Sequence, residues 1–232
     1  MLRVPTSWRT AAVLSLAAVL IGSAPAPGPA PIRIRVGTLL DGRGGRQQDV
    51  VVTVRERRIT AIDAYRAGTP VTWDLSGMTM LPGLIDTHVH IDGHFGPDGR
   101  ADTRGESPEE RLRATAENAQ RTLRAGFTTV QSLGAATDLE LRRGILAGRF
   151  EGPRVLTSVA QFTDATKSPE EIRAWVRATV ARGADVIKLF ATKSIREGGG
   201  QTLSDAQITA ARTAAMAGCT GVTHGTQATA AE

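Results

Sequence analysis

A single cysteine, Cys219, among 232 residues excludes an intramolecular disulfide framework and equally excludes a CxxC metal site. Any metal must therefore be taken by histidine, carboxylate or a modified lysine. Histidine is scarce too, with four in all: His88, His90, His94 and His224. Aromatic residues make up only 4% of the chain, and the basic residues behind its formal charge of +5 are scattered along it. With no stacking platform beside that charge, nucleic acid is not an expected partner. No stable membrane span is expected either. The one marked apolar run, Ala11 to Gly22, is shorter than the roughly 20 helical residues that a hydrocarbon core of about 30 Å demands.

That run is preceded by Arg3 and Arg9 and followed by Ser23-Ala24-Pro25-Ala26-Pro27-Gly28-Pro29. A basic start, a short apolar stretch and a small-residue end are the layout of a secretory signal peptide. Residues 1–31 are expected to be a signal peptide with a Pro-rich linker, and the protein to be exported to the periplasm or beyond. No cysteine follows the run closely, so export in soluble form is the expectation.

Composition against that background is ordinary for a globular protein, with 41% apolar residues. Residues 32–80 read as a small β unit of short strands at 32–36, 49–54 and 58–62, with Gly-rich breaks at Asp41-Gly42 and Gly44-Gly45. From 81 the pattern becomes alternating strand and helix. Four helix starts, at Ser107, Thr137, Ser168 and Ser204, each place a hydroxyl three residues before Glu or Gln, the spacing of a capping box. Glycines at 126, 148, 183 and 218 mark the helix ends. Strands are expected at 84–88, 127–130, 154–159, 184–191 and 221–224, an α/β arrangement with a parallel sheet and helices outside. Five strands fall short of the eight in a (β/α)₈ barrel, so residues 81–232 are expected to form an incomplete barrel.

The strongest chemical signal is Leu81-Pro82-Gly83-Leu84-Ile85-Asp86-Thr87-His88-Val89-His90. In a strand, residues two apart share a face, so His88 and His90 can offer two imidazoles to one ion. Asp86 is in register with them and is read as a support for a histidine N–H rather than as a ligand; the plainer reading is a strand-end carboxylate bonded to backbone. Lys188, in Ala184-Asp185-Val186-Ile187-Lys188-Leu189, lies in a buried strand where desolvation favours the neutral amine. A neutral amine can add carbon dioxide to give an anionic carbamate; the alternative is a lysine ion-paired inside the barrel. His224 ends a further strand of the same sheet. His94, in the loop after the first strand, is either a substrate-pocket residue or a plain loop histidine.

Together these residues resemble the amidohydrolase superfamily, and within it the imidazolonepropionase-like and Xaa-Pro-dipeptidase-like members. The resemblance runs from about Ile32 to Glu232. It rests on the Leu-Pro-Gly-Leu-Ile-Asp-x-His-x-His stretch, Ala125-Gly126-Phe127-Thr128-Thr129-Val130, Gly152-Pro153-Arg154-Val155 and Ala184-Asp185-Val186-Ile187-Lys188, in that order. It implies a hydrolase that cleaves a C–N bond of a small amide, dipeptide or cyclic amide with metal-activated water. It also implies one or two divalent ions, zinc by default, with His88 and His90 on the first metal. Lys188 would be the carbamylated bridge, and His224, on the fifth or sixth barrel strand, would be a ligand of the second ion. The family's general base, an Asp ending the eighth strand, has no counterpart, because Asp205 is the only Asp after Lys188 and sits at a helix start. The competing expectation is a non-catalytic truncated fragment, or a metal-binding partner for another chain. An open five-stranded sheet is further expected to leave Lys188 hydrated and cationic.

Overall fold

The computed structural model describes residues 29–96, 99–101, 105–216, 218 and 221–223. The signal-peptide expectation and His224 therefore fall outside the described residues, apart from Pro29–Pro31. The chain divides into two compact units between Leu81 and Pro82.

The first unit is a four-stranded sheet built from β1 (Ile32–Leu40), β2 (Arg46–Arg55), β3 (Arg58–Ala64) and β4 (Trp73–Met80), in the order β3-β2-β1-β4. β1 and β2 form a hairpin whose turn is closed by Asp41, which accepts from the N–H groups of Arg43 (2.7 Å) and Gly45 (2.9 Å). β4 runs parallel to β1. It is the strand the sequence reading missed, because Ser76-Gly77 interrupts its apolar alternation. Val36, Leu39, Val50 and Val52 make the core of this unit.

The second unit alternates strand and helix: β5 (Leu84–Val89), α1 (Pro108–Arg124), β6 (Phe127–Ser132), α2 (Thr137–Leu146), β7 (Arg154–Thr157), β8 (Gln161–Phe162), α3 (Pro169–Ala181), β9 (Val186–Leu189), α4 (Asp205–Ala215) and β10 (Gly221–Thr223). All its strand pairs are parallel. Three helices begin with the expected capping boxes. Ser107, Ser168 and Ser204 each accept the third helical N–H, and Glu110, Glu171 and Gln207 each accept the cap's own N–H in return. α2 departs from expectation. Its cap is Ala136 in helical conformation, with no side-chain capping bond, and Thr137 is already inside the helix. The chain before α2 enters in a helical rather than extended conformation, which takes the threonine hydroxyl out of capping geometry.

The third strand is interrupted where the sequence suggested one continuous run. β7 pairs with β6, β8 pairs with β9, and between them Val159 takes φ 61°, a left-handed conformation disfavoured for a β-branched residue. The bend hands the strand from one neighbour to the next, so β5-β6-β7 and β8-β9-β10 are two three-stranded sheets joined at Ser158–Ala160. Hydrogen bonds cross the joint, from Asp185 N to Thr157 O at 2.8 Å and from Ser158 N to Ser132 O at 3.0 Å. Among the described residues β5 pairs only with β6 and β10 only with β9, so the array is open.

Two cores flank the strands. One gathers Ile172, Val176, Ile187, Leu189 and Leu203; the other gathers Ile91, Ala119, Val130, Leu141 and Val155. Arg142 of α2 reaches Asp185 at 2.6 Å and donates to Gly183 O at 3.0 Å, while Asp185 also accepts the N–H of Thr157 at 2.9 Å. At the start of β5, a Cβ added to Gly83 would overlap Cγ2 and Oγ1 of Thr128. No helix among the described residues is long and apolar enough to cross a membrane.

Candidate metal centre

His88 and His90 project from the end of β5 with ring centroids 5.8 Å apart, the juxtaposition their spacing implies. Burial lowers the pKa of His88, and the positive charges of Lys188 and His90 lower it further, against an opposing effect of Asp86. A neutral imidazole is the form that binds metal, so the depression fits a ligand. Asp86 accepts the backbone N–H of His88 at 3.0 Å. Its observed role is therefore to brace the strand just ahead of the histidine pair.

Lys188 lies on β9, opposite Gln161 of β8 on one side and Thr223 of β10 on the other. It is only 3% exposed, and its Nζ lies 5.1 Å from the centre of the Phe190 ring. Desolvation lowers its pKa toward the neutral amine. The expectation that an open sheet would leave this lysine hydrated is corrected here. β9 is hydrogen-bonded along both edges, and all four of its residues are buried, so the local wall exists without a closed barrel. Lys188 lies within electrostatic reach of His88, since a positive charge there is among the causes that lower the histidine's pKa.

His94 stands apart. Its Nδ1 is 2.9 Å from the carbonyl of Asp92 and its Nε2 is 2.9 Å from Glu106 Oε1, so both ring nitrogens are engaged within its own loop. Those bonds and the Glu106 charge raise its pKa, the reverse of His88. The loop is held further by Asn118, which donates to the carbonyls of Ile91 and Gly93.

His90, Asp92, Gly134 and Gln161 line an open cleft of about 390 Å³ beside the histidine pair, and His94 is not part of it. A Cβ at Gly134 would come within 2.8 Å of Asp92 Oδ1 and 3.6 Å of His90 Nδ1, so a side chain there would crowd the cleft. A larger groove, about 1270 Å³, runs along α1 and α2, but it is lined by helix-surface residues such as Glu109, Arg113, Glu140 and Arg149 and holds none of the strand-end groups. The smaller cleft is the one that reaches a strand-end histidine, His90. Asp92 and Gln161 went unnoticed in the sequence. Asp92 could have been found by extending the every-second-residue pattern one step beyond His90, whereas Gln161 is placed by the bend at Val159. Among the described residues, no group of three or more His, Cys, Asp or Glu converges as a metal cage. Among the described residues the nitrogen donors His88 and His90 are the available pair, and neutral nitrogen donors suit a borderline divalent ion.

Residues 79–231 match the family model described as the amidohydrolase family. This chain belongs to the amidohydrolase family. Among solved structures the amidohydrolase chain is similar to a Xaa-Pro dipeptidase with bound methionine, with a TM-score of 0.73 and 25% identity over 83% of this chain and 56% of that one. It is also similar in fold to phenylurea hydrolase B, with a TM-score of 0.69 and 21% identity over 84% of this chain and 55% of that one. A stretch of 60 residues is 42% identical to the N-acyl-D-aspartate deacylase of Alcaligenes xylosoxydans xylosoxydans, covering 25% of this chain and 12% of the deacylase. The amidohydrolase chain thus spans little more than half the length of these solved structures and a small part of the curated relative. Its mixed α/β fold is the one these hydrolases share, and amidohydrolases generally work with divalent metals.

Proposed function

We propose that this chain carries the first half of a metal-dependent hydrolase site for the C–N bond of a small amide, N-acyl amino acid, dipeptide or cyclic amide. The observation that carries the reading is the meeting of two imidazoles, His88 and His90, with a desolvated lysine, Lys188, at the ends of different parallel strands. On this reading β5, β6, β7 with β8, β9 and β10 are the first five strands of a (β/α)₈ barrel, in which every strand's C-terminal end faces one active-site mouth. His88 and His90 would hold one divalent ion, zinc by the chemistry of the donors. Lys188, as its carbamate, would bridge to a second ion, and His224 would complete the nitrogen set there.

When bound, such an ion supplies Lewis acidity that polarises a carbonyl and acidifies water. The residues of this chain prepare for it. Desolvation lowers the pKa of His88 and so favours its ligating, neutral form. Burial favours the neutral amine of Lys188, whose lone pair would add to the carbon of carbon dioxide: an N–C bond forms, one C=O π bond opens onto oxygen as the carbamate anion, and nitrogen gives up one proton to solvent. Asp86 holds the β5 backbone just ahead of the histidine pair, and the cleft at His90, Asp92 and Gln161 offers polar groups to a substrate amide. Export is part of the same proposal, resting on the leader at residues 1–31, and an intact mass that retained Met1 on a cytoplasmic protein would exclude it.

Titration of the purified protein with zinc alone, followed by assay on N-acyl amino acids and dipeptides with bicarbonate present, tests the reading. His88→Ala should weaken zinc binding far more than His94→Ala, since His94 is occupied by Asp92 and Glu106. Equal effects of the two substitutions would remove the distinction on which the site rests. Zinc uptake with no turnover on any of these substrates would favour a metal-binding chain that does not itself catalyse.

A further inference from the structure

Asp138, the second residue of α2, has no accessible surface, and its neighbours Ser132, Thr157 and Ser158 are equally buried. A buried carboxylate needs hydrogen-bond partners. Its Oδ2 accepts the hydroxyl of Thr157 at 2.7 Å, whereas Oδ1 is buried and finds no partner among the described residues. Acidic residues in a first helical turn ordinarily face water and complement the helix dipole. This one is turned inward, against the ends of β6 and β7, and two lines of contact lead from it.

The first passes through Thr157. Its hydroxyl proton goes to Asp138, which turns a lone pair of the same oxygen toward the N–H of Val159 at 2.9 Å. Val159 is the left-handed residue at which the third strand leaves β6 and joins β9, setting Gln161 opposite Lys188. A non-glycine residue in that conformation is strained and persists only where its surroundings hold it. The second line runs by proximity: Ser132, fully buried near the Asp138 carboxylate, accepts the N–H of Ile91 at 3.3 Å on its hydroxyl. Ile91 directly follows His90. One carboxylate thus orients the Thr157 hydroxyl directly and lies close to the Ser132 hydroxyl. The Ser132 hydroxyl grips the backbone just past the histidine pair, and the Thr157 hydroxyl grips the bend that aligns the strand beside Lys188.

We infer that Asp138 is a positioning residue: through its hydrogen bond to Thr157, and by its packing near Ser132, it fixes the strand of His88 and His90 relative to the strand of Lys188, and thereby sets the affinity of the site for metal. The part concerning metal rests on the functional reading above; the part concerning the strands does not. Asp138 touches none of the proposed ligands and acts only through the hydroxyls.

Two readouts on the full chain separate these parts: amide hydrogen exchange at Ile91 and Val159, and calorimetric titration with zinc alone. Asp138→Ala should lose protection selectively at those two amides and lose about 10- to 100-fold in zinc affinity, the range seen when supports of metal ligands are removed. Asp138→Asn keeps an oxygen acceptor for Thr157 and should restore both. Unchanged protection at both amides in Asp138→Ala overturns the inference whatever zinc does. Equal, uniform loss of protection in the Ala and Asn variants also overturns it, because it would show a general fault of folding. If the unsubstituted protein takes up no zinc, the metal reading falls, and the two amides still decide the role of Asp138. Should Asp138→Ala not fold, Thr157→Val and Ser132→Ala divide the two lines: the first should unprotect Val159 alone and the second Ile91 alone, and any other pattern counts against the relay.

Discussion

Arg142 on α2 and Asp185 at the start of β9 form an ion pair of 2.6 Å that fastens the helix to a strand not its own neighbour in sequence. Asp185 also takes the N–H of Thr157, so three elements meet on one carboxylate. Both side chains are 27% exposed, which places the pair between the surface and the core.

Removing the arginine leaves a half-buried carboxylate and the Gly183 carbonyl short of a donor. Arg142→Ala should therefore cost about 1–3 kcal/mol of stability by denaturant unfolding. Arg142→Lys should recover only part of it, because an ammonium cannot reproduce the planar fork that reaches both acceptors. An alanine variant within about 0.5 kcal/mol of the parent would show the pair to be ornamental.

The helix starts give a paired comparison. Ser168→Ala removes a formed capping box and should destabilise by about 1 kcal/mol. Thr137→Ala, at a site with the same sequence spacing but no capping bond, should stay within about 0.5 kcal/mol. Thermal melts of the two variants side by side check this, and similar losses would mean that Thr137 caps α2 in solution.

Asp138 should give the protein a distinctive pH dependence. Desolvation raises its pKa from the ordinary value to about 6, against the pull of the Thr157 and Ser132 hydroxyls, with Asp92 adding to the rise. A folded-state pKa above the unfolded one means that the native state binds the extra proton. Stability from this group is thus fully present below about pH 4 and is lost as pH rises through about 6. The loss is on the order of 3 kcal/mol. Asp138→Asn carries no titrating proton, so its stability relative to the parent should climb between pH 4 and 6 and then level off. A difference that stays constant across that range in guanidinium titrations would refute the burial argument.

What could be read in advance was what is local in sequence. The boxes at Ser107, Ser168 and Ser204 need only a hydroxyl, a three-residue spacing and an extended entry, and the histidine pair needs only the two-residue period of a strand. Thr137 has the same letters, yet the conformation of Ala136 decides its role, and that is set by the loop packed behind it. The bend at Val159 goes against the preference of a β-branched residue, so no local rule announces it; Thr157, Asp138 and the change of strand partner impose it together. The burial of Lys188 was misjudged for a related reason. Counting strands suggested an open wall, but a lysine is desolvated by its immediate neighbours, and β8 and β10 are both in place. Nothing local marks Asp138, since acids are common in a first helical turn and only the fold turns this one inward.

Gly83 carries a different lesson. Its missing side chain is required by Thr128 on the adjacent strand, since the two positions share a volume that holds only one of them. A larger residue at 83 therefore demands a smaller one at 128, and neither demand involves an imidazole nitrogen. The Leu-Pro-Gly-Leu word that introduces the histidine pair is in this respect a record of how the first two strands nest. A descendant could discard both histidines, abandon the chemistry and still spell it.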